Sequence, residues 1–369
     1  MSDSADSTVD FPTSDFPTFD FSVLGTREHP TLGLDTFGDA PLDGAPANHA
    51  QVLRDVVAEA ALADRVGVDY IGLGEHHRPD YAISAPDVVL AAIAGRTERI
   101  RLGTGVTVLS SDDPIRVYQR FATLDAVSDG RAEVQLGRGS FIESFGLFGL
   151  ELSDYDRLFA EKLDLFAALQ SEAPVSWEGT VRPPLVDRQV FPTTAAGMLP
   201  AWIGVGGTPQ SVVRAARYGM PLMLAVIGGS PAAFVQLADL YRRSLIEYGR
   251  PELPIGMHSP GHVAATDELA REQLYPHQAE LVTRIGRERG WGPYSRIAFE
   301  QGASAQGALF VGSPETVAQK IAWAARTLGL ARFQLKYSVG SLPHEQRLES
   351  IRLYGEEVIP RVRELLAAD

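Results

Sequence analysis

An α/β protein built as a single (β/α)8 TIM barrel with insertions is what this sequence predicts, on three observations. Short segments rich in β-formers alternate with amphipathic helical segments eight times between Thr31 and Leu366, and such alternation means parallel strands with helices packed outside them. Glycines and chemically active side chains gather after the strands, where barrel enzymes hold their sites. No motif recurs at a fixed short period, which excludes a solenoid.

Taken in order, residues 1 to about 29 are rich in Ser, Asp and Thr, with Phe11, Phe16, Phe19 and Phe21 set among prolines and aspartates. The expectation there is a flexible N-terminal extension, the alternative an arm that docks its phenylalanines on a partner subunit. The barrel then occupies residues 30–369. Thr31 to Phe37 reads as the first strand and Asn48 to Val66 as its helix, with Val52, Val56, Ala60 and Ala63 at helical spacing. Tyr70 to Leu73 is strand two, before a helix over 86–96. Ile100 to Leu109 is strand three, and a helix from Pro114 to Val127 opens on its proline. Strand four covers Ala132 to Leu136 and its helix Tyr155 to Leu169. Residues 173–199 break the rhythm as an excursion with a hairpin turn at Trp177-Glu178-Gly179-Thr180. Strands five and six follow at Ala201 to Val205 and Pro221 to Ile227, with helices over 210–218 and 231–248. Strand seven is Ile255 to Ala265, and a helical insertion spans 267–310. A helix from Pro314 to Leu328 has Ser313 as its N-cap. Strand eight, Arg332 to Tyr337, and a helix from His344 to Leu366 close the barrel.

Composition narrows the function. At 369 residues, with 45% hydrophobic and 22% charged side chains, the chain can bury one large core. A net charge of −14 argues against a nucleic-acid or anionic-membrane surface. The lack of cysteine removes disulfides, thiolate zinc sites, iron–sulfur clusters and a cysteine nucleophile. No run has the length of a membrane helix, and the acidic start lacks the features of a secretory signal, so the cytoplasm is the expected compartment.

The chemistry concentrates at strand ends. Strand two delivers Glu75, His76, His77 and Arg78. Neighbouring side chains on a strand point to opposite faces, so His76 and His77 make a poor chelating pair, and no HExxH or HxH spacing is present. An imidazole titrating near neutrality reads better as a proton acceptor or donor, with Glu75 to orient it. The blander reading is a set of polar loop residues. Three glycine turns also follow strands: Gly137-Arg138-Gly139-Ser140, Gly204-Val205-Gly206-Gly207-Thr208-Pro209 and Gly228-Gly229-Ser230-Pro231. Glycine admits a close ligand, and a helix N-terminus offers free N–H groups to an anion. Thr208 adds a hydroxyl and Arg138 a forked cation suited to phosphate. One such turn is more often only a turn, but three converging on one barrel face point to a phosphate group. Pro209 stands at the third glycine of a dinucleotide fingerprint and no Walker A run exists, so a mononucleotide is favoured. The glycines of Gly103-Thr104-Gly105-Val106, inside a strand, predict either a flat ligand against a bulge or tight packing of barrel layers.

The runs GLGEHH, LGTGVTVLSSDDPIRVYQRFATLDAVSDGRAEVQLGRGSF and IGVGGTPQSVVRAARYGMPLMLAVIGG, with VGSPETVAQKI and LYGEEVIP, resemble the bacterial luciferase-like, flavin-dependent monooxygenases over residues 31–365. The resemblance implies a (β/α)8 barrel that binds reduced FMN at the carboxyl ends of its strands. It makes His76 the active-site histidine, with Glu75 and His77 beside it, and Arg138 the phosphate arginine. The cofactor-binding set it implies is Thr104, Gly105, Val106, Gly137, Arg138, Gly139, Gly206, Gly207, Thr208, Gly228 and Gly229. Gly105-Val106 matches the place of a non-prolyl cis peptide under the flavin ring. Where luciferases carry a reactive cysteine this chain has Gly137, a departure that argues against light emission but leaves flavin oxygenation open. The implied reaction oxygenates a small organic substrate with molecular oxygen through a C4a-peroxyflavin, under a lid formed by residues 267–310. Without a nicotinamide fingerprint, the chain is expected to receive reduced flavin from a separate flavin reductase, and to work as a homodimer. The alternatives are deazaflavin-dependent hydride transfer on the same fold, a non-catalytic flavin-binding protein, and a metal-dependent hydrolase using His76 and His77.

Overall fold

The computed structural model describes residues 19–42, 48–139 and 141–368. β1 (Thr31–Thr36) leads to α1 (His49–Arg65), β2 (Tyr70–Leu73) to α2 (Pro86–Ala94), and β3 (Arg101–Thr104) with its continuation β4 (Thr107–Val108) to α3 (Pro114–Val127). β5 (Val134–Gly137) runs through a short α4 (Glu143–Leu147) into α5 (Tyr155–Leu169). β6 (Val175–Trp177) and β7 (Leu185–Arg188) form an antiparallel hairpin within the 173–199 excursion. β8 (Ala201–Val205), α6 (Pro209–Arg217), β9 (Leu222–Ala225), α7 (Val235–Glu247) and β10 (Ile255–Val263) follow. The second insertion holds α8 (Asp267–Glu288) and α9 (Arg296–Ala303) and ends in β11 (Phe310–Gly312). α10 (Pro314–Leu328), β12 (Arg332–Lys336), α11 (His344–Leu353), a π-helical turn at Tyr354–Val358 and α12 (Ile359–Ala367) complete the order.

The ring runs β3, β2, β1, β12, β10, β9, β8, β5, β4, all pairs parallel. Since β3 and β4 are halves of one strand, the two ends of this path meet, and a bridge from Leu102 to Ala132 ties them. β11 pairs with β10 at Gly261–Val263, where β10 runs on past the ring.

Two features differ from the expected elements. The third strand is interrupted at the cis peptide Gly105–Val106, which divides β3 from β4. The closing helix is broken by the π-helical turn. Helix ends fall where local chemistry sets them. Asp113 caps α3 by accepting from the Ile115 and Arg116 amides ahead of Pro114. Ser313 caps α10 by accepting from the Thr316 amide, and Gly329 ends it at φ +64°.

Along each strand alternate residues face opposite ways. Leu32, Leu34, Ile71, Leu73, Phe333 and Leu335 enter the main core that the outer helices share. The intervening residues fill a lumen that is polar and aromatic: Asp35, Tyr70, Gln135, Trp202, His258, Arg332, Gln334 and Lys336, all buried. Tyr70 explains one glycine, because a Cβ at Gly103 would lie 2.6 Å from its hydroxyl oxygen. Tight packing of barrel layers therefore accounts for Gly103.

At the amino-terminal end the lumen is closed by an ion pair. Arg332 donates to Glu133 at 2.7 and 3.1 Å, with its guanidinium between the rings of Trp202 and Tyr70 (4.4 and 4.5 Å). Beneath it a 3-10 turn, Phe21–Leu24, brings the fully buried Leu24 together with Phe19, Phe21, Trp202 and Met223. Residues 19–29 thus seal the barrel floor where the composition predicts a flexible extension, because Phe19, Phe21 and Leu24 pack with the buried Trp202 and Met223. Residues 1–18 lie outside the described residues. Among the described residues no helix is long and apolar enough to cross a membrane.

Candidate active site

At the carboxyl end of β2 the chain turns out of the sheet. The Gly74 amide donates to Thr36, Glu75 to Val106 and His76 to Ile83, at 2.9–3.0 Å. The Glu75 carboxylate, buried, accepts from the Val108 amide and from His77 Nε2, both at 2.9 Å. Glu75 therefore holds β4 in place and orients one of the two imidazoles, that of His77. The imidazole of His76 instead sits among rings: Tyr81 stacked at 4.5 Å, Phe37 at 4.7 Å and Phe141 at 5.4 Å edge-on. No group among the described residues hydrogen-bonds it. Burial among these rings lowers its pKa to about 3, so it is neutral near pH 7 and a weak base, where the sequence predicts titration near neutrality. His77 meets a different neighbour, the edge of Phe148 at 5.2 Å. The adjacent histidines thus enter separate surroundings.

Arg78 is fully engaged. It donates to Asp80 at 3.0 Å, to Glu288 of α8 at 2.6 and 3.0 Å, and to Glu143 of α4. Arg284, also of α8, donates to Asp80 at 3.1 Å. Phe141 lies under Arg78 at 4.4 Å and against His76, so this ionic cluster roofs the histidine and fastens the second insertion to the mouth of the barrel.

Below the mouth stands a group that the sequence reading missed. Asp35 on β1 is fully buried and its Oδ2 accepts from Nδ1 of His258 on β10; its Oδ1 has no partner among the described residues. His258 stacks on Phe37 at 6.1 Å, so Phe37 separates it from His76. Lys336 is neutralised by Asp39 at 2.9 and 3.1 Å. The signals available were an aspartate inside an apolar strand and a histidine in another, but they lie far apart in the chain and neither belongs to a motif.

The expected cofactor residues divide by environment. Thr104 is buried in the barrel wall, its hydroxyl bonded to the Gln135 carbonyl at 3.0 Å, and offers no free side-chain group. A Cβ at Gly105 would lie 3.4 Å from Asp35 Oδ2, and one at Gly137 2.6 Å from Val106 Cγ2, so these three stretches pack on one another. Gly139 adopts φ +78°; Ser140 lies outside the described residues. Gly206, Gly207, Gly228 and Gly229 border open space, since a Cβ at any of them meets nothing within 4 Å.

Beside the first pair, Arg138 donates to Asp156 at 2.8 Å and approaches Thr208 Oγ1 at 3.5 Å. Asp156 is 81% exposed, a partner that an incoming anion displaces readily. Sequence reading also passed over Arg214 on α6. It stacks on Phe159 at 5.6 Å and makes no ion pair among the described residues, and burial followed by the Arg138 charge lowers its pKa. A cation so placed needs an anion. Arg138, Arg214, Thr208, the α6 N-terminus and the open glycine turns together fit the phosphate of a mononucleotide. Among the described residues no three His, Asp or Glu side chains cluster as metal ligands would.

Known proteins resemble this chain in sequence and in fold. The family model for luciferase-like monooxygenases matches residues 35–332. An N-acetyl-S-alkylcysteine monooxygenase of Bacillus subtilis is 30% identical over 263 residues, 68% of this chain and 74% of the relative. The crystal structure of monooxygenase RslO1 from Streptomyces bottropensis superposes with a TM-score of 0.76 at 24% identity, covering 89% of this chain and 99% of that one. The oxygenating constituent of 3,6-diketocamphane monooxygenase from Pseudomonas putida, in complex with FMN, gives 0.73 at 17% identity over 90% and 98%. An F420-dependent secondary alcohol dehydrogenase gives 0.70 at 18% over 90% and 99%. The chain belongs to the luciferase-like monooxygenase family.

Proposed function

We propose that this protein is an FMN-dependent monooxygenase. It oxygenates a small organic substrate with molecular oxygen and reduced FMN, which a separate reductase delivers, and it works as a homodimer, as the family resemblance implies. The observation that carries the reading is the paired cradle at the mouth: Arg138, Arg214 and Thr208 beside open glycine turns on one side, and a neutral histidine in an aromatic cage on the other. Reduced FMN, when bound, supplies the electrons that activate oxygen. Arg138 and Arg214 hold its phosphate, the glycine turns admit its backbone-close passage, and Phe37, Tyr81 and Phe141 keep water from His76. His76 presents a neutral imidazole to the reacting atoms and can hydrogen-bond them there. The ionic cluster at Arg78 keeps the second insertion over the mouth as a lid.

The test is to mix the protein anaerobically with FMNH2, add oxygen and follow the flavin spectrum by stopped flow. A spectral intermediate that outlives the one seen in buffer supports the monooxygenase. Reoxidation at the buffer rate, without tightened FMN binding, sinks it in favour of a deazaflavin-dependent hydride transfer.

A further inference from the structure

We propose that the outer side of the barrel floor carries a second binding site, for a small polyanion built on phosphate. The inference does not depend on the flavin reading above. A cavity of about 410 Å³ opens there. Its walls are the Phe21–Leu24 turn, the start of β1 at Thr31, Asp69 just before β2, the start of β3 at Arg101, and Arg363 of α12. The ring pairs are all parallel, so this end lies opposite the strand ends that carry Glu75, Arg138 and the glycine turns.

Charge selects the ligand. In a chain of net charge −14, three arginines (Arg99, Arg101 and Arg363) and His29 line this cavity against one carboxylate, Asp69. Asp69 is taken by Arg363 at 2.8 and 3.0 Å and by the Leu32 amide. Arg101 donates to Glu133 at 3.0 Å, but Glu133 is shared with Arg332, so one buried carboxylate serves two guanidinium groups. Arg99 meets no carboxylate among the described residues. Its side chain donates to the main-chain oxygen of Asp64 at 2.7 Å, while the Asp64 carboxylate is occupied by the amides of Glu98, Arg99 and Ile100. A guanidinium has more N–H donors than these bonds use, and its fork matches phosphate oxygens in pairs. A neutral ligand would leave the cationic excess uncompensated; a group carrying more than one negative charge balances it. Arg99 is exposed and Arg363 is 52% exposed, so the donors are reachable from solvent. Barrel enzymes place their chemistry at the opposite face, so the ligand here is held rather than transformed. By bridging the turn, two strands and α12, it stabilises the folded chain.

The probe is inorganic pyrophosphate, titrated calorimetrically into the full chain at low ionic strength without divalent cations. The wild-type protein binds it, and its thermal melts move upward as pyrophosphate is added. Arg99→Gln weakens that binding roughly tenfold, the loss of a charge-assisted hydrogen bond. Ser22→Glu, which adds a carboxylate to the cavity wall, abolishes it. Both positions are exposed, and melts without pyrophosphate report that the variants are folded. Arg138→Gln, in the cradle at the mouth, leaves the floor binding unchanged. Absence of binding to the wild-type protein overturns the proposal. So does binding that survives both floor variants and disappears with Arg138→Gln, because the probe then reads the mouth. The other source of anionic groups is the chain itself: residues 1–18 hold Asp3, Asp6, Asp10 and Asp15 and no Lys, Arg or His. Pyrophosphate binding that emerges only when these four aspartates are changed to Asn assigns the cavity to the chain's own acidic start and overturns the free polyanion.

Discussion

Because His76 touches rings and no hydrogen-bond partner among the described residues, burial dominates its charge state over the nearby charges of Asp39, Lys336, Asp80 and Arg78, and two consequences can be measured. His76→Ala removes the neutral imidazole but none of the phosphate cradle. Turnover should fall by about 10²–10⁴-fold, with flavin affinity nearly unchanged; equal turnover would remove His76 from its role. The folded pKa of about 3 lies below the ordinary 6.5. Between those values the unfolded chain binds the extra proton, so stability present above pH 6.5 is lost as pH falls toward 3. Thermal melts of His76→Gln should show a shallower decline across that window than the wild-type protein. Gly137 is the second test at this scale. A Cβ there meets Val106 at 2.6 Å, so Gly137→Cys should cost about 1–3 kcal/mol in chemical denaturation without conferring light emission. His76 and Arg138 were legible because each sits in a dense local motif. Asp35, His258 and Arg214 were not, since their meaning comes from partners that only the closed ring brings near.

At the scale of elements, legibility followed the strength of local signals. α3, α5 and α10 begin and end at the residues expected, and in α3 and α10 a capping side chain and a proline fix the first turn. The division of β3 from β4 was signalled by the glycines of Gly103-Thr104-Gly105-Val106 and by the cis peptide that the resemblance implied at Gly105–Val106. The contacts of Glu75 and Asp35 at the break were not, since Asp35 lies on β1 and Glu75 follows β2. The polar cluster on α8 was equally hidden, because Arg284 and Glu288 look like an ordinary solvated face until Asp80 and Arg78 are placed against them. That cluster makes a prediction. Glu288 and Glu143 are each more than a third exposed, so salt screens their pairing with Arg78. Arg78→Ala should speed proteolytic cleavage between α8 and α9 severalfold. Added salt should move the wild-type protein in the same direction while leaving the variant unchanged.

Across the whole molecule the barrel separates two polar ends of one lumen. At the mouth, acceptors such as Asp35 Oδ1 stand without partners among the described residues, which is how a site waiting for a ligand differs from a finished core. At the floor most polar groups are satisfied, Arg332 Nε excepted: Glu133 takes Arg332, Arg101 and the Trp202 indole, and the Leu24 carbonyl accepts from Thr31 and Arg332. The eightfold alternation announced the ring, but nothing in it announced that the lumen would be ionic, because inward and outward residues are told apart only once helices cover one face. The ion pair is costly to break from one side. Arg332→Leu leaves the fully buried Glu133 with only Arg101 at the lumen's edge, and should lower stability by about 3–5 kcal/mol in chemical denaturation. Since Arg332 lies one lumen layer below Gln334 and two below Lys336, the surviving folded protein should bind FMN with wild-type affinity. A loss of flavin affinity matching the loss of stability would mean that floor and mouth are one cooperative unit. Retained affinity would show that the floor serves folding alone, which leaves the mouth free to keep its unpaired groups.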